Sequence, residues 1–178
     1  MDAAKKQNAA VVRVPLEFLD GHHARQGVIC AALEQLATEP AAARAAETAQ
    51  LVLDYLDNEM PLHIADEEED LFPLLLQRCG EDDELEAKFA MLRGEHEADD
   101  ILLQRLQMPL REIAGHAVPV APEVFARDAI AFATLQRRHL AWENGTILPL
   151  ARQRLTAEDH SELARRMTAR RQESSISE

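Results

Sequence analysis

Apolar residues recur along most of the chain at alternating steps of three and four, the spacing that gathers them on one face of a helix. The clearest run is Leu85, Phe89, Leu92, His96, Asp99, Leu103, Leu106, Leu110 and Ile113, in which two ionisable residues stand where the pattern requires apolar ones. It predicts a helix over residues 82–114, ended by Gly115. A first helix is expected to run from residue 15 or 16 to about 37. Thr38-Glu39-Pro40 reads as a break, with Thr38 capping the helix that follows. That second helix covers about 41–78, bends near Pro61 and closes at Cys79-Gly80. Beyond a proline-containing linker at residues 118–122, a fourth helix is expected over 123–154. Thr156 and Asp159 form a capping box that opens a short fifth helix to about 170. Residues 1–15 are expected to be disordered or extended, and 172–178 a disordered tail. The whole predicts an all-α, antiparallel up-down four-helix bundle over residues 16–171, including the short fifth helix.

Composition agrees with helices. Of 178 residues, 47% are hydrophobic but only 4% aromatic, and β-branched residues are sparse, so sheet is disfavoured. A formal charge of −13 with no basic stripe argues against nucleic acid as a partner. The one cationic cluster, Arg165-Arg166 with Arg170-Arg171, lies where it complements a helix dipole. Two cysteines, Cys30 and Cys79, make no disulfide framework and read as small, buried, apolar residues. With neither a signal-peptide core nor a membrane-length apolar segment, no membrane association is expected and the cytoplasm is the expected compartment.

The chemistry enters through an internal repeat. His63-Ile-Ala-Asp-Glu67-Glu-Glu-Asp-Leu71-Phe72-Pro73-Leu74 matches His139-Leu-Ala-Trp-Glu143-Asn-Gly-Thr-Ile147-Leu148-Pro149-Leu150 without a gap. Residues four apart share a helix face, so each His and its Glu point together and can offer nitrogen and oxygen to a cation. The prolines ten residues after each His remove a backbone donor and are expected to loosen both helices there. His96 and Asp99 add an ionisable pair to an apolar seam, where burial without partners costs several kcal/mol. Asp100 is a further carboxylate close by. In the first helix His22 and His23 both fit an apolar frame, and periodicity leaves both open.

Each feature has an ordinary explanation when taken alone. A single His on an apolar face is usually a hydrogen-bonded core residue, and a single His-x3-Glu is a common surface pair. Two matched copies, with His on both other helices, make coincidence the weaker account. The acidic run 66–70 is expected to be a solvated face apart from Glu67, with Glu68 able to support a ligand. His116 and His160 are expected to be exposed, and Tyr55 and Glu59 to stand one or two turns from His63.

These residues resemble the hemerythrin-like superfamily, the HHE cation-binding domain, over about residues 16–153. The most specific match is His-x3-Glu-Glu-x2-Leu-Phe-Pro at His63, Glu67, Glu68, Leu71, Phe72 and Pro73. The counterpart is His139, Glu143 and Leu148-Pro149. Glu95-His96-Glu97 and the His-x-Arg-Gln stretch of His23, Arg25 and Gln26 are also similar, and the latter favours His23 over His22. The resemblance implies two iron ions in an oxo- or hydroxo-bridged centre. Glu67 and Glu143 would bridge them, with His23 and His63 on one ion and His96 and His139 on the other. His22, Glu59, Asp99 and Asp100 would then be hydrogen-bond partners or alternative ligands. The chain departs from the oxygen-carrying members at Asp100, where they have a second His, and in using His-x3-Glu rather than His-x4-Asp in the fourth helix. That leaves a four-His, two-Glu set like that of members tied to iron sensing or iron-centre repair, without the repair proteins' cysteine-bearing N-terminal domain.

The expected function is therefore a non-haem di-iron protein that binds a small diatomic, oxygen or nitric oxide, or responds to iron or redox state, as monomer or dimer. The alternatives are a di-iron oxidase or peroxidase, an iron-centre repair protein, or a helical interaction module with a zinc or empty site. No nucleophile-base pair or phosphate loop suggests turnover of an organic substrate.

Overall fold

Five helices account for nearly all of the computed structural model, which describes residues 11–80 and 84–176; among these no strand occurs. Helix α1 is Pro15–Thr38. Its proline sits in the first turn, where a missing N–H costs nothing. At the other end Thr38 does not cap the next helix as expected. Its hydroxyl donates back to the carbonyls of Gln35 (2.9 Å) and Glu34 (3.3 Å), closing α1 instead. Helix α2 covers residues 45–78 and starts four residues later than expected, after a turn at residues 40–44. It is built from α-helical pieces Ala45–Asp54, Met60–Ala65 and Phe72–Arg78, joined by π-helical turns Tyr55–Glu59 and Asp66–Leu71. Helix α3 is Leu85–Ala114; the expected start at Asp82 lies outside the described residues. Helix α4 covers residues 122–154 and carries one π-helical turn, Glu143–Ile147, between Pro122–Trp142 and Leu148–Arg154.

Helix α5, Ala157–Ile176, runs past residue 170 and takes in residues 172–176 of the stretch expected to be a disordered tail. Its capping box is present: Asp159 accepts from the Thr156 N–H (2.9 Å), and the Asp159 N–H donates to Thr156 Oγ1 (3.2 Å). At the other end of the chain, Val12 is buried and its N–H donates to Thr168 Oγ1 (3.0 Å), so residues just before α1 dock on α5.

Packing follows the apolar stripes. Helix α1 packs on α4 and on the start of α2, α2 on α3, and α3 on α4, while α5 lies against α1 and the π turn of residues 66–71. The core is split in two. One apolar cluster gathers Leu16, Leu19, Phe72, Phe89, Leu148 and Met167; the other gathers Ile29, Leu33, Val52, Leu106, Phe125 and Phe132. In sequence, the buried histidines of all four bundle helices, with Gln26, Asp66, Glu67, Asp70, Asp99, Gln136 and Glu143, fall between these two sets, while Glu59 and Asp128 lie within the second. No helix among the described residues is long and apolar enough to cross a membrane.

Candidate metal centre

Three prolines shape the backbone here. Pro61, Pro73 and Pro149 each stand second in an α-helical piece that follows a π turn. A helical proline removes its own N–H and its ring collides with the carbonyl four residues back. Those carbonyls belong to Asp57, Glu69 and Gly145, each inside a π turn, where the widened backbone relieves the collision. The residue before each proline donates five residues back: Met60 to Tyr55, Phe72 to Glu67 and Leu148 to Glu143. The loosening expected after each His is thus a π turn that contains the Glu of the repeat. Pro61 belongs to the same series, with Tyr55 in the place of the Glu.

The structure brings His23, His63, Glu67 and Glu143 together in one set, and Glu67, His96, His139 and Glu143 in a second. Within each set the potential ligand atoms lie within 4.8 Å of one another. All six side chains are buried, His96 the least at 7% exposed. His23 Nε2 is 3.5 Å from Glu67 Oε1 and 3.4 Å from Glu143 Oε2, and His63 Nε2 is 3.5 Å from Glu67 Oε1. His139 Nε2 lies 2.7 Å from Glu143 Oε1 and 3.1 Å from His96 Nε2. Separations of about 3–3.5 Å are those of neighbouring ligands around one ion with bonds of about 2.1 Å.

Three of the four outward nitrogens are already committed. His23 Nδ1 donates to Asn144 Oδ1 (2.7 Å), His96 Nδ1 to Glu68 Oε1 (2.5 Å) and His139 Nδ1 to Glu95 Oε2 (3.1 Å). Arg138 holds Glu95 in turn, at 2.6 Å. With Nδ1 carrying the proton, each inward Nε2 presents a lone pair, and these lone pairs converge on two carboxylates. Protons or cations must fill that space. The donor set, imidazole nitrogens and carboxylate oxygens only, suits a first-row metal, and the outward bonds fix ring orientation as metal sites require.

The electrostatics say the same for the protein without metal. Burial, and then the Glu143 charge, push the Glu67 carboxyl up to about 8; burial pushes Glu143 up to about 7. Burial works against charge on His23, but the hydrogen bond to Glu67 and the two carboxylate charges outweigh it and raise its imidazole to about 9. His63 falls well below its usual range through burial and the neighbouring histidines, and neither of its ring nitrogens has a hydrogen-bond partner among the described residues.

Other expected site residues lie outside the cluster. His22 is buried but belongs to neither set. Its ring stacks on His63 (5.6 Å, 2° between planes) and tilts against Phe18 (4.7 Å), and burial lowers its imidazole to about 4. Asp100 is exposed and cannot join the buried groups: one residue beyond the inward Asp99, the helix has turned it away. Asp99 is buried and accepts from the Gln136 amide, which itself accepts from Gln26. Glu59 pairs with Arg25 (2.6 Å), and Tyr55 packs in the second core cluster. Glu68 supports His96, as expected, but Asp66 and Asp70 are buried rather than solvated. His116 is exposed and His160 half-buried, while Cys30 is buried and Cys79 half-buried. The supporting roles of Asn144, Glu95 and Gln136 escaped the sequence reading. Glu95 belongs to the Glu95-His96-Glu97 stretch, and the only signal for Asn144 and Gln136 is position, next to Glu143 and three residues from His139.

No curated protein matches the chain. The family model described as the hemerythrin HHE cation binding domain matches residues 14–151, more than half of the sequence and all six clustered residues. The chain belongs to the hemerythrin HHE cation-binding family.

Proposed function

We propose that this protein holds two iron ions, joined by an oxo or hydroxo bridge, and uses them to bind oxygen or nitric oxide or to register iron and redox state. The observation that carries the reading is the convergence of inward Nε2 atoms on two adjacent buried carboxylates while the Nδ1 atoms are held by Asn144, Glu68 and Glu95. His23 and His63 would hold one ion, His96 and His139 the other, with Glu67 and Glu143 common to both sets. In this proposal α1 to α4 form an up-down antiparallel bundle, which puts all four histidines at one level. When bound, the ions supply a change of oxidation state and a position for a small ligand.

The chain's own groups do the rest. Apolar clusters on either side exclude water and strengthen every charge interaction between them. Three hydrogen-bonded rings are held in the tautomer that directs Nε2 inward. A groove of about 360 Å³ between α2 and α3, walled by Leu56, Met60, Ile64 and Leu103, reaches His96, and its volume exceeds that of a diatomic molecule. Glu68 stands at its edge, half-buried, and links solvent to the His96 ring.

Metal analysis of protein from iron-replete cells tests the reading: about two irons per chain are expected, with the visible absorption of a bridged pair. His63→Ala and His139→Ala should each lower the iron content, and His116→Ala and His160→Ala should not. Equal effects from all four would sink it. Anaerobic reduction followed by oxygen or nitric oxide titration, watched optically, then shows which ligand the centre accepts.

A further inference from the structure

The last helix lies beyond the residues that the family model matches, yet it reaches the cluster. Arg171 is 1% exposed and is among the largest buried side chains in the molecule. Its Nη2 donates to Asp66 Oδ2 (2.5 Å), and its Nη1 to Asp66 Oδ1 (3.1 Å) and to the Met167 carbonyl (2.8 Å). Asp66 is wholly buried and immediately precedes Glu67. Arg170 adds Asp66 (2.5 Å), Asp70 (2.8 Å) and Glu69 (2.9 Å), and Arg166 adds Asp70 (3.3 Å). Three arginines of α5 therefore grip three acids of the one π turn from which Glu67 projects.

A second path runs through rings. The Arg171 guanidinium lies 4.5 Å over Phe18, Phe18 packs on His22, and His22 stacks on His63. One side chain of α5 thus backs two members of the cluster, Glu67 through the turn and His63 through the packed rings of Phe18 and His22. The other copy of the repeat has nothing equivalent. Where the first has Asp66, Glu69 and Asp70, the second has Trp142, Gly145 and Thr146, which carry no charge. Its turn is tied through Asn144 to His23.

A bidentate buried guanidinium–carboxylate pair is stiff and directional, and removing one partner strands the other's charge away from water. Such a pair is an expensive way to hold a helix already anchored by Leu163 and Met167, both fully buried. It is an effective way to fix the backbone of a widened turn, whose longer hydrogen-bonded rings are looser than those of an α-helix.

We propose that α5 is a latch on the metal centre, with Arg171 and Asp66 as positioning residues that hold the π turn so that Glu67 meets its partners. The proposal rests on the metal-binding reading above. Without the latch the turn opens, Glu67 loses its place in both ligand sets, and affinity falls although all six clustered side chains remain.

The test compares wild type with Asp66→Asn, Arg171→Ala, Arg171→Lys and the partly exposed Arg170→Ala, using Arg152→Ala as a control for a surface pair. Amide exchange is measured on metal-free protein. The Phe72 N–H, bonded to the Glu67 carbonyl, should exchange at least about tenfold faster in Asp66→Asn and Arg171→Ala. The Leu148 N–H of the other repeat should be unchanged. Ferrous-ion affinity, from chelator competition, should fall about ten- to a hundredfold in the same variants. Arg171→Lys should recover part of the loss, and Arg152→Ala should match wild type. Where Arg171→Ala does not fold, Asp66→Asn and Arg170→Ala carry the comparison. Unchanged exchange at Phe72 in folded variants overturns the latch, and faster exchange with wild-type iron affinity overturns the positioning role. Wild type that binds no iron overturns the metal reading, while the exchange measurement still decides whether α5 holds the turn.

Discussion

The cluster is a set of proton-binding groups as much as a set of atoms able to hold a metal, and this gives the metal-free protein a definite response to pH. Folded His23 keeps its proton to about 9, and Glu67 and Glu143 keep theirs to about 8 and 7. An unfolded chain releases them near the ordinary 6.5 and 4.5. Between these values the folded state binds more protons, so stability falls as pH rises. His22, lowered to about 4, acts oppositely, but its contribution is complete above about 6.5. The metal-free protein should therefore melt at progressively lower temperature from pH 6.5 to 9, as thermal scans in matched buffers would show. Metal ions compete for the same positions and displace those protons, so the metal-bound form should lose less stability over this range. A metal-free melting temperature that rises across it would contradict the pattern of burial around these groups.

At the scale of the element, the π turns tie sequence to site. Each coincides with a proline, yet Pro109 lies inside α3 with no π turn. Proline is thus a permissive cause, and what distinguishes the turns at Glu67 and Glu143 is the cluster they serve. Pro149→Ala restores the missing N–H and lets the turn tighten towards an α-helix. A tightened turn rotates its flanks by about 100° relative to one another. Either Leu148 leaves the core or Glu143 leaves the cluster. The expected outcome is a well-folded variant, by circular dichroism, whose iron affinity is lowered by about tenfold or more. Wild-type affinity together with normal helicity would separate the turn from the site.

Taken whole, the molecule carries a polar layer of its bundle helices between two apolar clusters. Such a layer contributes little to stability without a cation, because buried carboxylates must take up protons or bear an uncompensated charge. Metal should act as a folding ligand. At a hundredfold excess over its dissociation constant each ion adds about 2.7 kcal/mol, which raises the melting temperature by roughly 5–10 °C in a chain of this size. The comparison is a thermal scan of one preparation before and after anaerobic ferrous loading. No shift would mean that the ions do not bind between the two cores.

Much of this was legible in the one-dimensional pattern. Steps of three and four identify the helices, and the matched stretches beginning at His63 and His139 single out two His–Glu pairs, because residues four apart on a helix share a face in any tertiary setting. His96 shows itself by interrupting an apolar seam. Where neighbours or distant segments compete, the pattern is silent. His22 and His23 fit the helix equally well, and both are buried; only the packing of α1 on α4 turns His23 to the carboxylates and leaves His22 behind His63. Asp66 and Asp70 read as solvated acids because their partners lie about a hundred residues away, on a helix whose arginines could as well have served its own dipole. Helical phase is a local property of the chain, so sequence alone determined which residues share a face. Which face meets which, and which buried charge finds its counter-charge, is set by contacts between remote segments, and that the tertiary structure decided.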